Sequence, residues 1–71
     1  MNELSPGKYR HYKGKDYEVL GTARHSETEE VLVVYRCLYG EYDLWVRPLA
    51  MFVEQIVNQQ GVRVPRFKKI D

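Results

Sequence analysis

Cysteine is almost missing from this chain: Cys37 is the only one in 71 residues. A lone cysteine excludes an internal disulfide and the paired-cysteine zinc patterns that staple many small domains. Long apolar runs are also absent. No stretch approaches the roughly 20 apolar residues that cross a bilayer as a helix. The opening Met1-Asn2-Glu3-Leu4-Ser5-Pro6-Gly7 lacks the basic start and apolar run of a signal peptide. A cytoplasmic location without a membrane partner is expected, and one free thiol fits it. Excess charge of one sign is missing too. Eleven basic and ten acidic residues leave a net charge of +1, short of the balance of a dedicated nucleic-acid binder. Length predicts one domain over residues 7–71 behind a flexible leader at residues 1–6.

What the chain does have is aromatic side chains: six Tyr, two Phe and one Trp, 13% of the residues. A chain this short buries only about 60% of its unfolded surface. Each aromatic buries roughly 150–250 Å², so these residues can build a core without staples.

Alternation and turn residues predict the elements. Gly7 to Tyr12 reads as a first strand, and Lys13-Gly14-Lys15-Asp16 as a turn. Tyr17 to Arg24 reads as a second strand, with Tyr17, Val19, Gly21 and Ala23 on one face. Gly21 inside it marks a bulge. Val31 to Tyr39 is β-branched and aromatic, apolar on both faces, and is expected to be central and covered on both sides. Tyr42 to Arg47 completes a hairpin with it. Pro48 ends that strand, and Pro48 to Phe52 suits a helical turn. Residues 53–57 admit two readings. One is a helix from Pro48 to Gln60 with Leu49, Phe52, Val53, Ile56 and Val57 as its stripe. The other is a strand from Val53 to Val57 that turns at Asn58-Gln59-Gln60-Gly61 into Val62-Arg63-Val64. Gly61 before a Val-x-Val run favours the strand. Phe67 is expected to plug the core. The fold class is therefore all-β: a small SH3-like barrel or roll of about five strands with one short helical or 3-10 turn.

The polar run Arg24-His25-Ser26-Glu27-Thr28-Glu29-Glu30 feeds directly into the most apolar strand. His25 and Glu27 would point the same way in extended chain, with Ser26 opposite. An imidazole beside a carboxylate suits a general base, and Arg47 suits an anionic group. The bland alternative is heavier: Ser26 and Thr28 capping a turn, Glu27 paired with Arg47, His25 at a strand end. A serine hydrolase needs a triad geometry and a glycine elbow that the run His25-Ser26 does not supply. His11, His25 and Cys37 lack zinc-ligand spacing, His25-Ser26-Glu27 lacks the second half of a deaminase signature, and no phosphate loop is present. No cofactor, metal or catalytic residue is expected.

Tyr12, Tyr35, Tyr39, Tyr42 and Trp45 are too many for one small core. Trp45 lies on the polar face of its strand with Asp43 and Arg47, where it suits stacking on a ligand. The function expected is a noncatalytic binding or interaction module, with His25, Ser26, Glu27, Trp45 and Arg47 as its ligand-binding residues. A protein or small polar ligand is the expected partner, and the same aromatics would suit a homodimer. Two other readings stand beside it: a small hydrolase or transferase using His25 with Glu27, and weak nucleic-acid binding. The last would use Lys8, Arg10, Lys13 and Lys15 together with Arg63, Arg66, Lys68 and Lys69, if the two ends meet.

The strings Tyr9-Arg10-His11-Tyr12-Lys13-Gly14 and Tyr17-Glu18-Val19-Leu20-Gly21-Thr22-Ala23-Arg24-His25-Ser26-Glu27-Thr28 add a resemblance. With Val34-Tyr35, Leu38-Tyr39-Gly40, Trp45-Val46-Arg47-Pro48, Met51-Phe52 and Pro65-Arg66-Phe67, the chain resembles the bacterial domain-of-unknown-function family numbered 1653 from Gly7 to Ile70. The resemblance implies a small SH3-like β barrel. It brings no activity, substrate or catalytic residue.

Overall fold

In the computed structural model, residues 4–71 are described. Alternating residues set up the first two strands, β1 (Gly7–His11) and β2 (Asp16–Arg24), and β-branched residues the third, β3 (Val31–Cys37). Then come β4 (Leu44–Pro48), the single helical turn α1 (Leu49–Phe52), β5 (Gln55–Val57), β6 (Arg63–Pro65) and β7 (Phe67–Lys69). The class is mainly β, as the sequence predicts. The strands form an antiparallel five-stranded sheet in the order β4-β3-β2-β1-β7 and a separate β5–β6 hairpin. No helix among the described residues is long and apolar enough to cross a membrane.

The strand reading of residues 53–57 holds for Gln55–Val57, while Val53 caps α1 and Glu54 lies between the two elements. Pro48 ends β4 and α1 lasts one turn, because Val53 closes it with a hydrogen bond to the Leu49 carbonyl. The Asn58 side-chain oxygen then accepts the Gln60 and Val62 N–H groups, and Gly61 takes the positive φ of 78° that this turn requires.

Three expectations need correction. The strand expected from Tyr42 begins at Leu44, since Tyr42 turns the chain with a φ of 59°. The expected bulge is present, between Val19 and Gly21, but it shifts the alternation behind it. Thr22, not Ala23, lies beside the buried Val33, so the run Tyr17, Val19, Gly21, Ala23 does not share one face. The third correction concerns β3. Val33, Tyr35 and Cys37 are buried, whereas Leu32, Val34 and Arg36 on its other side are only half-buried, so β3 is covered on one side. The sequence also gives no sign of β7, a seventh strand that pairs with β1 and joins the two chain ends.

Tyr9, Val19, Val33, Tyr35, Phe52 and Phe67 form the core, with Leu4, Tyr17 and Leu49 packed against it. Phe67 is the plug the sequence anticipates. Its ring stacks on Phe52 at 4.0 Å and meets Tyr17 edge-on at 5.5 Å. Tyr9 meets Phe52 edge-on. Such pairs add about 0.5–1.5 kcal/mol each beyond the area they bury. Part of the expected leader, residues 1–3, lies outside the described residues. In the rest, the Ser5 carbonyl accepts the Tyr9 hydroxyl at 2.7 Å and Leu4 reaches the core.

Candidate functional site

The polar turn that stands out in the sequence is built mainly to hold itself. His25 Nδ1 accepts the backbone N–H of Glu27 at 3.1 Å and of Thr28 at 3.4 Å. Thr28 Oγ1 accepts the Glu30 N–H, and the His25 N–H donates to the Glu30 carbonyl. Glu29 takes a φ of 62°, with its carbonyl receiving Arg24. A nitrogen that accepts carries no proton, so these bonds assign the imidazole proton to Nε2. His25 and Thr28 thus do the capping, and Ser26 and Glu27 are exposed side chains on the turn.

Trp45 and Arg47 sit elsewhere. Trp45 faces Tyr35 across the β3–β4 ladder, and Arg47 faces Val33. Cross-strand partners share a face, so both side chains leave β4 on the core side. His25 follows Arg24, which pairs with Val31. Four residues of β3 separate that level from Tyr35, opposite Trp45, and two separate it from Val33, opposite Arg47: roughly 13 Å and 7 Å along the strand at 3.3 Å per residue. The structure therefore brings Trp45 and Arg47 together on β4 and places His25, Ser26 and Glu27 beyond the end of β2, on the other side of β3. No ion pair joins Glu27 to Arg47 among the described residues.

Around Trp45 and Arg47 the sheet opens into a cleft of about 220 Å³, lined also by Tyr17, Tyr35, Cys37 and Tyr39. Trp45 is 54% exposed, while Tyr35 and Cys37 form the buried floor. The Tyr17 and Tyr39 hydroxyls hydrogen-bond at 2.9 Å, and the Lys15 ammonium lies 4.5 Å from the centre of the Tyr39 ring. The bond to Tyr17, then burial and the Cys37 thiol, hold the Tyr39 phenol well above its usual range, so it remains protonated. Nothing in the spacing singles out Tyr17, because it reaches this cleft from a strand distant in sequence. Tyr35 and Cys37 belong to the core, whereas Tyr12, Tyr39, Tyr42 and Trp45 reach the surface.

Arg47 also belongs to a basic group around His11 and Phe67, outside the lining of the cleft. The Arg47 guanidinium lies over the Phe67 ring at 5.4 Å. His11 meets the same ring edge-on at 4.9 Å. Burial, then Arg66, Arg47 and Lys13, push the His11 imidazole below its ordinary value. Arg66 is paired with Glu54 at 3.2 Å. Arg47 has no carboxylate within ion-pair distance among the described residues.

The two basic ends of the chain do meet, because β7 lies on β1 with Arg10 opposite Lys68. Their acids meet with them. Arg10 binds Asp16 at 2.8 Å, and Lys69 binds Asp71 at 3.0 Å. Beside them, Arg10, His11, Tyr12, Asn58, Pro65 and Lys68 border a shallow groove between β1, β7 and the β5–β6 hairpin. No group of three or more His, Cys, Asp or Glu side chains stands ready for a metal among the described residues.

Comparison with known proteins agrees with the resemblance carried by the sequence motifs. The model of the family described as Protein of unknown function (DUF1653) matches residues 7–69. No curated protein matches. A crystal structure of a DUF1653 protein from Bordetella bronchiseptica is 42% identical, with a TM-score of 0.86 over 94% of this chain and 87% of that one. This chain therefore belongs to the DUF1653 family.

Proposed function

We propose that this protein is a noncatalytic binding module whose ligand carries a flat apolar group and an anionic group. The strand order and its one helical turn read as an SH3-like roll. One observation carries the functional reading: Arg47 is half-buried beside aromatic rings and has no acidic partner among the described residues. A guanidinium in such a place presents a planar fork suited to a carboxylate or phosphate. The exposed Trp45 ring next to it offers a stacking surface. The hydrogen-bonded Tyr17 and Tyr39 hydroxyls add a polar pair to the cleft. His25, Ser26 and Glu27 lie beyond the end of β2 and bear on the ligand only if it is long.

An amide-resolved NMR titration with nucleotides, aromatic carboxylates and acidic proline-containing peptides tests this. Shifts centred on Tyr17, Tyr39, Trp45 and Arg47, lost in Arg47→Gln with the fold retained, are the expected result. Shifts centred on residues 25–28 would move the site to the turn and overturn the reading.

A second reading, weak binding of single-stranded nucleic acid, is favoured by the meeting of the basic ends and by Tyr12 beside Asn58 in the groove. It requires affinity that falls steeply with salt. The ion pairs of Arg10 and Lys69 reduce the charge left to supply it.

A further inference from the structure

The strand β4 is inside out for a monomer. Its polar-side residues, Trp45 and Arg47, face the core, while Leu44 and Val46 on the other side are 54% and 56% exposed. They extend an apolar outer surface that includes Leu20, which is exposed, and the half-buried Leu32 and Val34. The alternation of β4 therefore leaves its apolar side uncovered in one copy of the chain.

The edge of β4 is open as well. Cys37 donates its N–H to the Asp43 carbonyl at 3.0 Å. That bond continues the β3–β4 register and sets its phase. Asp43, Trp45 and Arg47 turn their backbone groups towards β3, and Leu44 and Val46 turn theirs away from it. β4 is the end strand of the sheet, and no described strand pairs with those groups. The opposite end strand, β7, is short and carries Lys68 and Lys69, the usual protection of an edge. β4 has no lysine and no bulge against β3, and its one edge-blocking residue, Pro48, stands at its end.

We propose that β4 pairs antiparallel with β4 of a second copy of this chain about a two-fold axis at Trp45. In that register Leu44 of each copy lies opposite Val46 of the other, and the two exchange their free N–H and C=O groups. Trp45 meets its own counterpart at the closely spaced position, where side chains approach best. Asp43 falls opposite Arg47 of the second copy, twice. Neither Asp43 nor Arg47 has an ion-pair partner within its own chain among the described residues. Pairing one residue further along, with the axis at Val46, would set Leu44 against Pro48, which has no N–H to give. The self-complementary charge and hydrogen-bond pattern points to a second copy rather than an arbitrary peptide. A five-residue edge does not reach the roughly 800 Å² per partner of a standard interface, so the association is concentration-dependent.

The inference stands apart from the ligand reading, though the two share Trp45 and Arg47. An anion bound there competes with Asp43 of the second copy. Sedimentation equilibrium from micromolar to millimolar protein, with amide hydrogen exchange, is the test. A monomer–dimer equilibrium is expected, with Leu44 and Val46 amides protected as the dimer fills. Asp43→Lys and Val46→Lys should each weaken association about ten-fold or more. Asp43→Lys combined with Arg47→Glu should restore it, a rescue that a merely structural role would not give. A monomer throughout, or a dimer unchanged by Asp43→Lys and Val46→Lys in folded protein, overturns the proposal. Neither result removes the cleft as a ligand site.

Discussion

Both ends of the five-stranded sheet are rich in aromatic rings, yet they use them differently. At the β1–β7 end, Tyr9 and Phe67 pack against Phe52 from α1, and the rings are buried. At the β4 end, Trp45 projects from the core side of its strand but meets no covering element, and it remains half exposed. The difference lies in what the chain places beyond each edge strand. After β1 the chain's own C-terminal segment returns as β7 and brings Phe67 inward. Beyond β4 there is no described strand. The same residue types therefore act as core at one end and as a surface at the other. Composition alone does not tell the two apart.

The sharpest way to break this contrast is to remove a ring from each end. Phe67→Ala deletes the stacked partner of Phe52 and should cost about 3–5 kcal/mol. That is comparable to the whole stability of a domain this small, so thermal melting should show an unfolded or barely folded chain. Trp45→Ala should stay within about 1 kcal/mol of the parent and keep its melting transition. A large loss at Trp45 would place it in the core and erase the difference between the two ends.

Next in size is the tether at the closed end. Tyr9→Phe removes the bond to the Ser5 carbonyl and should cost about 1 kcal/mol. Denaturant titration measures that cost, and heteronuclear relaxation should show Pro6 and Gly7 neighbours loosened while β4 is unchanged. At the open end, Arg47→Gln should leave stability nearly intact, since an exposed-to-half-buried cation over a ring contributes about 0.5–1 kcal/mol. Its effect should appear in the NMR titration as lost ligand shifts.

The smallest expected effect is a pH dependence confined to the closed end. The His11 imidazole is held below its ordinary value of 6.5 by burial, Arg66, Arg47 and Lys13. The unfolded chain therefore binds its proton more readily. Stability should be full above about 6.5 and decline as pH falls from there through the lowered folded value. Protonation at Nδ1 would also forfeit the Lys13 N–H bond that this atom accepts. Asp16 is lowered by its bond with Arg10, and Asp71 by its bonds with Lys69 and Lys8. Both lose stability as pH falls through their lowered folded values, a more acidic window, so the two phases separate. Melting temperature against pH should lose its near-neutral phase in His11→Gln and keep the acidic one.

Much of the fold is legible from local chemistry. Pro48 stops β4, the Asn58–Gly61 turn makes the last hairpin, Gly21 marks the bulge, and Phe67 is available as a plug. The candidate site is less so. His25, Ser26 and Glu27 attract notice because they are polar and adjacent, but their adjacency is that of a self-capping turn. Trp45 and Arg47 are visible from their alternation. Tyr17 and Tyr39, which complete the cleft, are not, because no sequence period connects them to β4.

Sequence by itself determined the class of this protein, a small mainly β domain of the DUF1653 family without staples, since alternation, turn residues and lone cysteine act locally. Only the tertiary structure decided which face of β4 looks inward, that β7 joins the ends, and where the aromatic cleft opens. Strand pairing is non-local: a one-residue shift at the Val19–Gly21 bulge exchanges the faces of everything beyond it. No pattern within a single strand encodes what lies across from it.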